Sequence, residues 1–406
     1  MRILFLAESL FPHGSGGETA TYLYSKLLSA AGHQVTIVTN RFQGEESFSK
    51  QGTLQIYRLP LFKRNQTDKY SLLSNFNVVL SGFFKKLLNW ADIVYVPGFW
   101  YSAILLAKYH HKPVVTHLHG FIPICPLAAN FNYSKQKNCI FETRSCTRCI
   151  YTFERCSGKN LEQSFDSLIL NKTIAPCFGQ VAKLSDALIT VSNAQRNIIV
   201  KRIPSLTKKI KTIYNPLPKL PYVESCGDDF GYFGGPTILK GFDTICQALT
   251  LYKERENNKI LKIHATGFNG INSEHAKRLE HKGIITYGRV DQTGLERIYS
   301  QIRAVLVPSA FFETFGYVAC EAFLRGRIVV ASTAGGLPEV TEGCPGVFTI
   351  EAGDYRQLAS QLTAIQSLSR EKAVDLGEQN RAIITKKFAD STILTQITNL
   401  FAGLVD

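Results

Sequence analysis

The segment Ala304–Val340 limits what this chain can fold into more than any other. It reads AVLVPSAFFETFGYVACEAFLRGRIVVASTAGGLPEV. The apolar run Ala304–Ser309 predicts a buried parallel strand, Phe315–Leu324 predicts a helix, and Ile328–Thr333 predicts a second strand. A strand, a polar turn, a helix and a strand in this order are typical of an open α/β sheet, which binds ligands beyond the carboxyl ends of its strands.

Two carboxylates accompany this predicted turn and helix. Glu313 falls in the turn, and Glu321 lies about a turn and a half into the helix. The backbone N–H groups around Phe315–Tyr317 begin the helix and form an anion site. Carboxylates accept hydrogen bonds from vicinal hydroxyls, and backbone amides hold phosphates. The segment therefore predicts a site for a phosphorylated sugar, the alternative being two ordinary surface glutamates.

The same alternation of strands and helices recurs along the whole chain. At 406 residues the chain exceeds what one hydrophobic core usually serves, so two domains are expected. We predict Rossmann-like, doubly wound α/β domains at residues 1–218 and 222–388, with a Cys-rich insertion at 122–177 and a last helix at 389–406. Further strands are predicted at Arg2–Ala7, Gln34–Thr39, Leu54–Leu59, Asp92–Pro97, Pro113–His119, Ala187–Ser192, Lys211–Tyr214, Gly231–Gly234, Leu261–Gly267, Ile284–Gly288 and Val347–Ile350.

The framed motif P-S-x3-E-T-F-G-x4-E-A, followed by G-G-L-P-E, strongly resembles the retaining family-4 glycosyltransferases of the GT-B fold. The resemblance implies two Rossmann-like domains facing a cleft, with the last helix crossing back to the first domain. It implies transfer of a hexose-type sugar from a UDP-, GDP- or ADP-sugar to a sugar or lipid-linked acceptor, with retention and with no metal cofactor required for catalysis. A sugar-nucleotide epimerase or a phosphorylase on the same fold is the alternative.

The resemblance also implies roles for residues of the second half. Glu313 would contact donor-sugar hydroxyls, Glu321 would contact the ribose hydroxyls, and Gly316, next to Phe315, would sit against the sugar and its phosphate. The nucleobase would be clasped by backbone groups of Gly288, Arg289 and Val290, although a plain strand end is the alternative reading of those three residues.

The donor diphosphate needs positive charge, which the family usually supplies with an arginine and a lysine early in the second domain. The matching segment here is G-Y-F-G-G-P-T-I-L-K-G, in which Lys240 fits but glycines stand near the expected arginine. Leaving-group charge must still be balanced in the transition state. Three alternatives are open: Lys240 and backbone amides balance this charge by themselves, Arg289 takes the place of the expected arginine, or turnover is weak.

The first half carries a glycine loop and a histidine pair. The loop F-P-H-G-S-G-G, which includes Gly16 and Gly17, lets backbone approach a phosphate, but it lacks the third glycine of a dinucleotide fingerprint, which argues against a dehydrogenase. The resemblance places this loop near the donor phosphates and acceptor, the alternative being a tight turn. In P-V-V-T-H-L-H-G, the resemblance to the cysteine-containing branch implies that His119 contacts the donor sugar and reaction centre.

Five cysteines form the pattern C-x13-C-x6-C-x2-C-x6-C within residues 125–156. The C-x2-C pair is typical of a thiolate knuckle, so we expect a structural zinc bound by Cys139, Cys146, Cys149 and Cys156. Disulfides and uncoordinated thiols remain open. Such a metal would shape the acceptor side rather than catalyse.

The net charge of +14 is concentrated in the first half, where residues 1–220 hold 27 Lys and Arg against 11 Asp and Glu. This asymmetry predicts an anionic partner, and nucleic acid, an acidic lipid surface and a lipid-linked phosphate all fit. A nucleic-acid-binding protein with a cysteine knuckle is the rival, and the doubled Rossmann pattern argues against it. The first residues read as a strand rather than a signal peptide, so we expect a cytoplasmic protein, peripheral at the inner face of the membrane.

One stretch has the composition of an interfacial helix. Over Leu61–Trp90, apolar residues recur at near-helical spacing among basic ones, although packing on the domain sheet is the alternative. The apolar positions are Leu72, Phe76, Leu80, Phe83, Leu87 and Trp90, and the basic ones are Lys63, Arg64, Lys69, Lys85 and Lys86.

Overall fold

The structure is a computed structural model of the full chain, and it describes residues 1–61, 71–139, 146–156, 168–169, 171–172, 177–224 and 226–405. The chain forms two compact α/β units. One unit contains Met1–Pro216 together with Phe388–Asp406, and the other contains Leu217–Lys387. Each unit is built on its own sheet.

The sheet of the first unit has eight strands in the order β10-β9-β6-β5-β1-β2-β4-β3. All of its pairings are parallel except the edge pair β3 and β4. The central strands are buried along most of their length, as continuous apolar runs in a sheet covered on both faces should be. The first-unit strands are β1 Arg2–Leu6, β2 Gln34–Asn40, β3 Phe48–Gln51, β4 Leu54–Leu59, β5 Ile93–Val96, β6 Val114–Leu118, β9 Ala187–Thr190 and β10 Ile210–Thr212, and β7 Phe131–Asn132 and β8 Lys137–Asn138 form a separate small hairpin.

The second unit carries a six-stranded, all-parallel sheet in the order β13-β12-β11-β14-β15-β16. The strands are β11 Asp229–Tyr232, β12 Ile263–Ala265, β13 Ile284–Thr286, β14 Ile302–Val307, β15 Ile328–Ser332 and β16 Val347–Ile350. Strands β12 and β13 lie on one side of β11, and the next strands along the chain, β14, β15 and β16, lie on the other side. The chain therefore reverses its winding between β11 and β14, which is where an open α/β sheet leaves a crevice for ligand.

The helices pack on the faces of the two sheets. In the first unit they are α1 Gly16–Ala30, α2 Ser71–Val79, α3 Gly82–Trp90, α4 Tyr101–Tyr109, α5 Cys146–Cys156, α6 Asn193–Arg202 and, after the second unit, α14 Asp390–Val405. In the second unit they are α7 Phe242–Arg255, α8 Ser273–Glu280, α9 Gln292–Gln301, α10 Tyr317–Leu324, α11 Leu337–Thr341, α12 Tyr355–Gln366 and α13 Arg370–Lys387. Within the described residues, no helix combines the length and apolar character needed to cross a membrane.

Two helix predictions differ from the structure. The helix expected over Leu61–Trp90 is two helices, because the Ser81 hydroxyl accepts a hydrogen bond from the Phe84 N–H (3.2 Å) and caps a new helix there. Residues 62–70 of that prediction lie outside the described residues. The helix expected from Phe315 begins at Tyr317, since Gly316 at φ 99° is left-handed and cannot be a helical residue itself.

Candidate functional site

In the second unit, the loops that follow β11 and β14 bring a lysine and a glutamate together at the winding reversal. The Ala310 N–H donates to the Leu239 carbonyl (2.8 Å), which ties the two loops together. Lys240 Nζ then lies 2.6 Å from Glu313 Oε1, and the Ser309 hydroxyl donates to the same oxygen (2.7 Å). Two residues that the family resemblance selected in separate segments thus meet in one ion pair.

Burial distinguishes the two partners of this pair. The Glu313 residue is 7% exposed, whereas the Lys240 side chain is 35% exposed. An ammonium group carries three donors, so a lysine bound to one carboxylate oxygen retains capacity for an anion from solvent. The arrangement can therefore accept hydroxyl groups on the carboxylate and phosphate on the lysine.

Steric crowding explains why glycine, and not the expected arginine, occupies position 234. A Cβ atom on Gly234 would lie 2.6 Å from the Tyr232 hydroxyl and 2.8 Å from Lys240 Cβ. The Tyr232 hydroxyl is itself committed to the Gly235 carbonyl (2.8 Å). A side chain at position 234 would therefore displace the segment that delivers Lys240.

Glu321 lies on α10, and its partner is an arginine that the sequence analysis missed. Arg325 Nη1 is 3.7 Å from Glu321 Oε2, one helical turn away. The Arg325 guanidinium is buried over the Tyr299 ring, with its centre 4.5 Å from the ring centroid. Burial raises the pKa of Glu321, and Arg325 opposes that rise. The i to i+4 spacing was the signal available in the sequence.

The predicted base-binding segment is tied to a neighbouring loop. The Arg289 N–H donates to Asn269 Oδ1 (2.8 Å), and the Gly288 carbonyl accepts from the Gly267 N–H (3.2 Å). Val290 follows, half-buried, before α9. These loops follow β12 and β13, so they stand at the same carboxyl edge of the sheet as the ion pair. Phe315 is buried and packs edge-on against Tyr317, with ring centroids 5.2 Å apart.

The first unit has a cavity of about 330 Å³ at the carboxyl ends of β1, β5 and β6. His119 and Gly17 line it together, and a Cβ atom on Gly17 would lie 3.1 Å from His119 Cβ. Gly16 begins α1 beside it. The structure therefore brings the glycine loop and the histidine to one site.

His119 is held from both sides. The Gln195 side-chain amide donates to the carbonyls of Leu118 (2.8 Å) and Gly120 (3.0 Å), which flank the histidine. Its ring stacks on His117 with centroids 4.4 Å apart, and burial lowers the pKa of His119 to about 4. The ring is therefore neutral at neutral pH. His117 is buried, is hydrogen-bonded to the Tyr95 hydroxyl and lines the same cavity.

The same cavity contains two carboxylates that the sequence analysis did not select. Glu8 directly follows β1, is buried, and accepts a hydrogen bond from the Phe99 N–H after β5. A Cβ atom on Gly98 would lie 1.9 Å from Glu8 Oε2, so position 98 has to be glycine for this carboxylate to fit. Glu18 accepts from the Ser15 N–H (2.6 Å) as a capping-box residue of α1. Glu8 could have been found by the strand-end rule that selected His119.

The cysteines gather differently from the prediction. Cys125, Cys139, Cys146 and Cys149 line one small cavity, whereas Cys156 is exposed at the far end of α5. Cys156 follows Cys146 by ten positions along the helix. This is a rise of about 15 Å, so those two sulfurs do not meet at one ion. All ten cysteines lie in the described part of the chain, and each is a thiol there.

Comparisons with known proteins agree with this architecture. A family model described as "Glycosyltransferase Family 4" matches residues 14–218, and one described as "Glycosyl transferases group 1" matches residues 227–367. A relative in Klebsiella pneumoniae, described as an uncharacterized 42.6 kDa protein in the cps region, is 23% identical over 86% of this chain and 90% of its own length.

Two solved structures extend the likeness to the whole chain. Sucrose-phosphate synthase from Thermosynechococcus elongatus matches with a TM-score of 0.68 at 16% identity, over 99% of this chain and 98% of that one. Anabaena HepE, solved in complex with UDP and glucose, matches with a TM-score of 0.63 at 16% identity, over 100% of both chains. These neighbours have the GT-B fold, which confirms the predicted fold class. The chain therefore belongs to the glycosyltransferases, with a Family 4 domain followed by a group 1 domain.

Proposed function

We propose that this glycosyltransferase moves a hexose from a nucleoside-diphosphate donor to a hydroxyl of a glycan or lipid-linked precursor, with retention at the anomeric carbon. The observation that carries the proposal is the buried Glu313 carboxylate, 2.6 Å from Lys240 and 2.7 Å from Ser309 at the winding reversal of the second sheet. A carboxylate and an ammonium at such a crevice suit the two ends of a sugar phosphate.

The donor would be held by the second unit. Glu313 accepts hydrogen bonds from hydroxyls of the sugar, and the N–H groups at the start of α10, next to Gly316 and Phe315, receive the phosphate. Glu321, positioned by Arg325, accepts from the ribose hydroxyls. Backbone groups of residues 288–290 contact the base. The HepE complex with UDP and glucose supports a nucleotide-sugar donor of this kind.

The chemical step is a substitution at the anomeric carbon. The acceptor oxygen forms a bond to that carbon on the face from which the diphosphate leaves, and the departing phosphate oxygen takes the acceptor proton. Lys240 and the α10 N–H groups stabilise the charge that develops on the diphosphate. His119, neutral because of its low pKa, contacts the sugar as a hydrogen-bonding group rather than as a cation.

The acceptor would bind in the cavity of the first unit. Glu8 and Glu18 line that cavity beside His119, and carboxylates there can orient the hydroxyls of a sugar acceptor. The relative in the cps region supports a glycan precursor as acceptor.

A lipid-linked acceptor would agree with contact to a membrane surface. Leu80 and Phe76 are 77% and 44% exposed, and the exposed Lys85 and Lys86 follow on α3. Exposed apolar side chains next to lysines are typical of interfacial binding. Binding to vesicles with and without anionic lipid tests this, and a Leu80→Ser, Phe76→Ser variant that binds as well as wild type would contradict it.

The first test is a thermal-shift panel of UDP-, GDP- and ADP-glucose. A ligand that binds only the folded state raises the melting temperature. We expect one nucleotide family to stabilise wild type and the control Glu254→Gln, an exposed position on α7, and to fail with Glu321→Ala. Equal shifts in wild type and Glu321→Ala would remove Glu321 from the donor site.

Reaction with that donor and a panel of acceptor glycans then tests chemistry. Retention predicts that the anomeric configuration of the product, read from its proton NMR coupling, equals that of the donor sugar. An inverted product would overturn the proposed mechanism. Free epimerised nucleotide sugar, or a sugar phosphate formed with added phosphate, would instead assign an epimerase or a phosphorylase.

A further inference from the structure

The first unit contains a second, smaller cavity that the proposed transfer reaction does not use. It measures about 40 Å³, and four of the residues that line it are cysteines from three separate segments. Cys125 follows β6, Cys139 follows the β7–β8 hairpin, and Cys146 and Cys149 occupy the first turn of α5. This volume is enough to admit a single ion between the sulfurs.

A backbone N–H group donates to one of these sulfurs. The Tyr133 N–H lies 3.3 Å from Cys149 Sγ. A thiolate accepts hydrogen bonds more strongly than a thiol does, so this donor suits a metal-bound sulfur at Cys149. The Cys149 thiol in turn donates a hydrogen bond to the Phe131 carbonyl (3.5 Å).

Positive charge lies beside the cavity as well. Four thiolates on a divalent cation carry a net charge of −2. Arg202 lines the cavity, and both Arg202 and Lys172 interact electrostatically with Cys146. These cations would stabilise the excess negative charge of a tetrathiolate centre.

We propose that Cys125, Cys139, Cys146 and Cys149 bind one structural zinc ion. Four sulfur ligands select zinc among common divalent ions, and a site closed by four protein ligands leaves no open position for catalysis. In the described part of the chain, no three His, Cys, Asp or Glu side chains lie close enough together to bind a metal ion without moving. Zinc binding would therefore require the four sulfurs to move inward, to about 2.3 Å from the metal, and would release their protons to solvent.

The zinc site has a consequence for the neighbouring acceptor cavity. Leu127, which lines the cysteine cavity, also lines the cavity around His119, together with Ile122 and Ala128 of the same loop. The loop is closed by the Phe121 N–H donating to the Ala128 carbonyl (2.8 Å) and the Ala128 N–H donating to the Cys125 carbonyl (2.9 Å). Zinc bound at Cys125 would thus fix one wall of the acceptor cavity.

The test is the metal content of the full chain purified under reducing conditions and measured by inductively coupled plasma mass spectrometry. We expect about one zinc per chain in wild type and in the control Cys156→Ser, and less than about a tenth of that in Cys149→Ser and Cys125→Ser. Cobalt exchanged into wild type should show the visible absorption of a tetrahedral thiolate complex, a readout that needs no variant to fold.

Three results would overturn the proposal. Wild type with neither bound zinc nor the cobalt spectrum would remove the metal. Loss of zinc in Cys156→Ser with retention in Cys125→Ser would move the site to Cys139, Cys146, Cys149 and Cys156. Pairs of cysteines that resist alkylation until a reductant is added would assign disulfides instead. None of these readouts depends on glycosyl transfer, so the zinc site and the proposed function fail separately.

Discussion

At the scale of single residues, the Lys240–Glu313 pair predicts a loss of catalysis when the charge of Glu313 is removed. Glu313→Gln keeps the shape of the side chain but removes the charge that Lys240 and Ser309 contact. Loss of one preorganised polar contact to the reacting sugar lowers kcat by about 10²- to 10³-fold. We expect that fall with the cognate donor, and a Glu254→Gln control with unchanged kcat.

A double-mutant cycle tests whether Lys240 and Glu313 act together in catalysis or independently. If Lys240 and Glu313 act together, the double variant Lys240→Met, Glu313→Gln loses much less activity than the product of the two single losses. Fully multiplicative losses would show that the 2.6 Å contact has no part in catalysis.

Glu321 predicts a pH dependence of donor binding. Its pKa is raised by burial, so the carboxylate that would accept the ribose hydroxyls takes up a proton at a higher pH than an ordinary glutamate, near about 4.3, would. Donor affinity should therefore fall as pH drops, with a midpoint above that value. Arg325 lowers the pKa, so Arg325→Met should move the midpoint to higher pH, while Arg325→Lys should stay close to wild type.

The same raised pKa has the opposite sign for folding. A glutamate whose folded pKa lies above its unfolded one loses its stabilising contribution as pH rises through the folded pKa. Glu321→Gln should therefore leave the melting temperature at neutral pH equal to or above that of wild type. A clear drop in the melting temperature of Glu321→Gln at neutral pH would contradict the raised pKa of Glu321. A pH midpoint of donor binding that is unchanged in Arg325→Met would contradict the effect assigned to Arg325.

At the scale of elements, the start of α10 depends on one glycine. Gly316 lies at φ 99°, and a Cβ atom there would come within 2.6 Å of Leu337 Cδ2. We expect Gly316→Ala to cost about 1–3 kcal/mol of unfolding free energy through backbone strain and overpacking. Urea unfolding monitored by circular dichroism measures this cost.

A double variant separates the effect of the Leu337 contact from that of backbone strain, and it tests whether Gly316 matters for donor binding. Gly316→Ala combined with Leu337→Ala relieves the contact but leaves the backbone strained, so nucleotide-induced stabilisation should stay reduced. Full recovery of that stabilisation would show that the left-handed conformation does not matter for the donor site.

Most strands were predictable from the sequence because each is a short apolar or β-branched run. Leu54–Leu59 and Val347–Ile350 match β4 and β16, and Ile328–Thr333 exceeds β15 by one residue. The missed strands are β3 at a sheet edge and the two-residue β7 and β8, which carry little apolar signal. The length and apolar content of a strand thus decided whether it could be predicted.

Contacts that depend on strand order were not predictable. Glu8 and Gly98 meet because β1 and β5 are neighbours, and Cys125 joins the other cysteines because the chain after β6 returns to α5. Spacing along the chain favoured Cys156 instead. The family motif supplied Lys240 and Glu313 separately, but only the pairing of β11 with β14 explains their contact.

At the scale of the whole molecule, positive charge is concentrated in the first half of the chain. Residues 1–220 carry 27 Lys and Arg against 11 Asp and Glu, and residues 221–406 carry 19 against 21. The proposed nucleotide site therefore lies in the nearly neutral part, where local groups such as Lys240 must balance the diphosphate. The basic part contains the proposed acceptor cavity, so an anionic acceptor would be attracted by the charge of this part as a whole and not by the cavity lining, whose carboxylates are Glu8 and Glu18.

The last helix belongs to the first unit, although it follows the second unit in the chain. Ile393, Ile397 and Phe401 of α14 are buried, and Phe401 packs edge-on against Tyr95, with ring centroids 5.8 Å apart. Removing three such side chains costs about 1.5–3 kcal/mol each as an upper estimate, against a typical domain stability of about 5–15 kcal/mol.

Truncation after Lys387 should therefore unfold or strongly destabilise the first unit while the second, which keeps its whole sheet, still responds to nucleotide. Limited proteolysis followed by mass spectrometry should show cleavage within residues 1–216 and protection of 217–387 that increases with the cognate nucleotide sugar. Phe401→Ala in the full chain, expected to cost about 3–5 kcal/mol, should shift the same cleavages in the same direction. Equal protease resistance of the first unit with and without α14 would show that the helix is not part of its stabilising core.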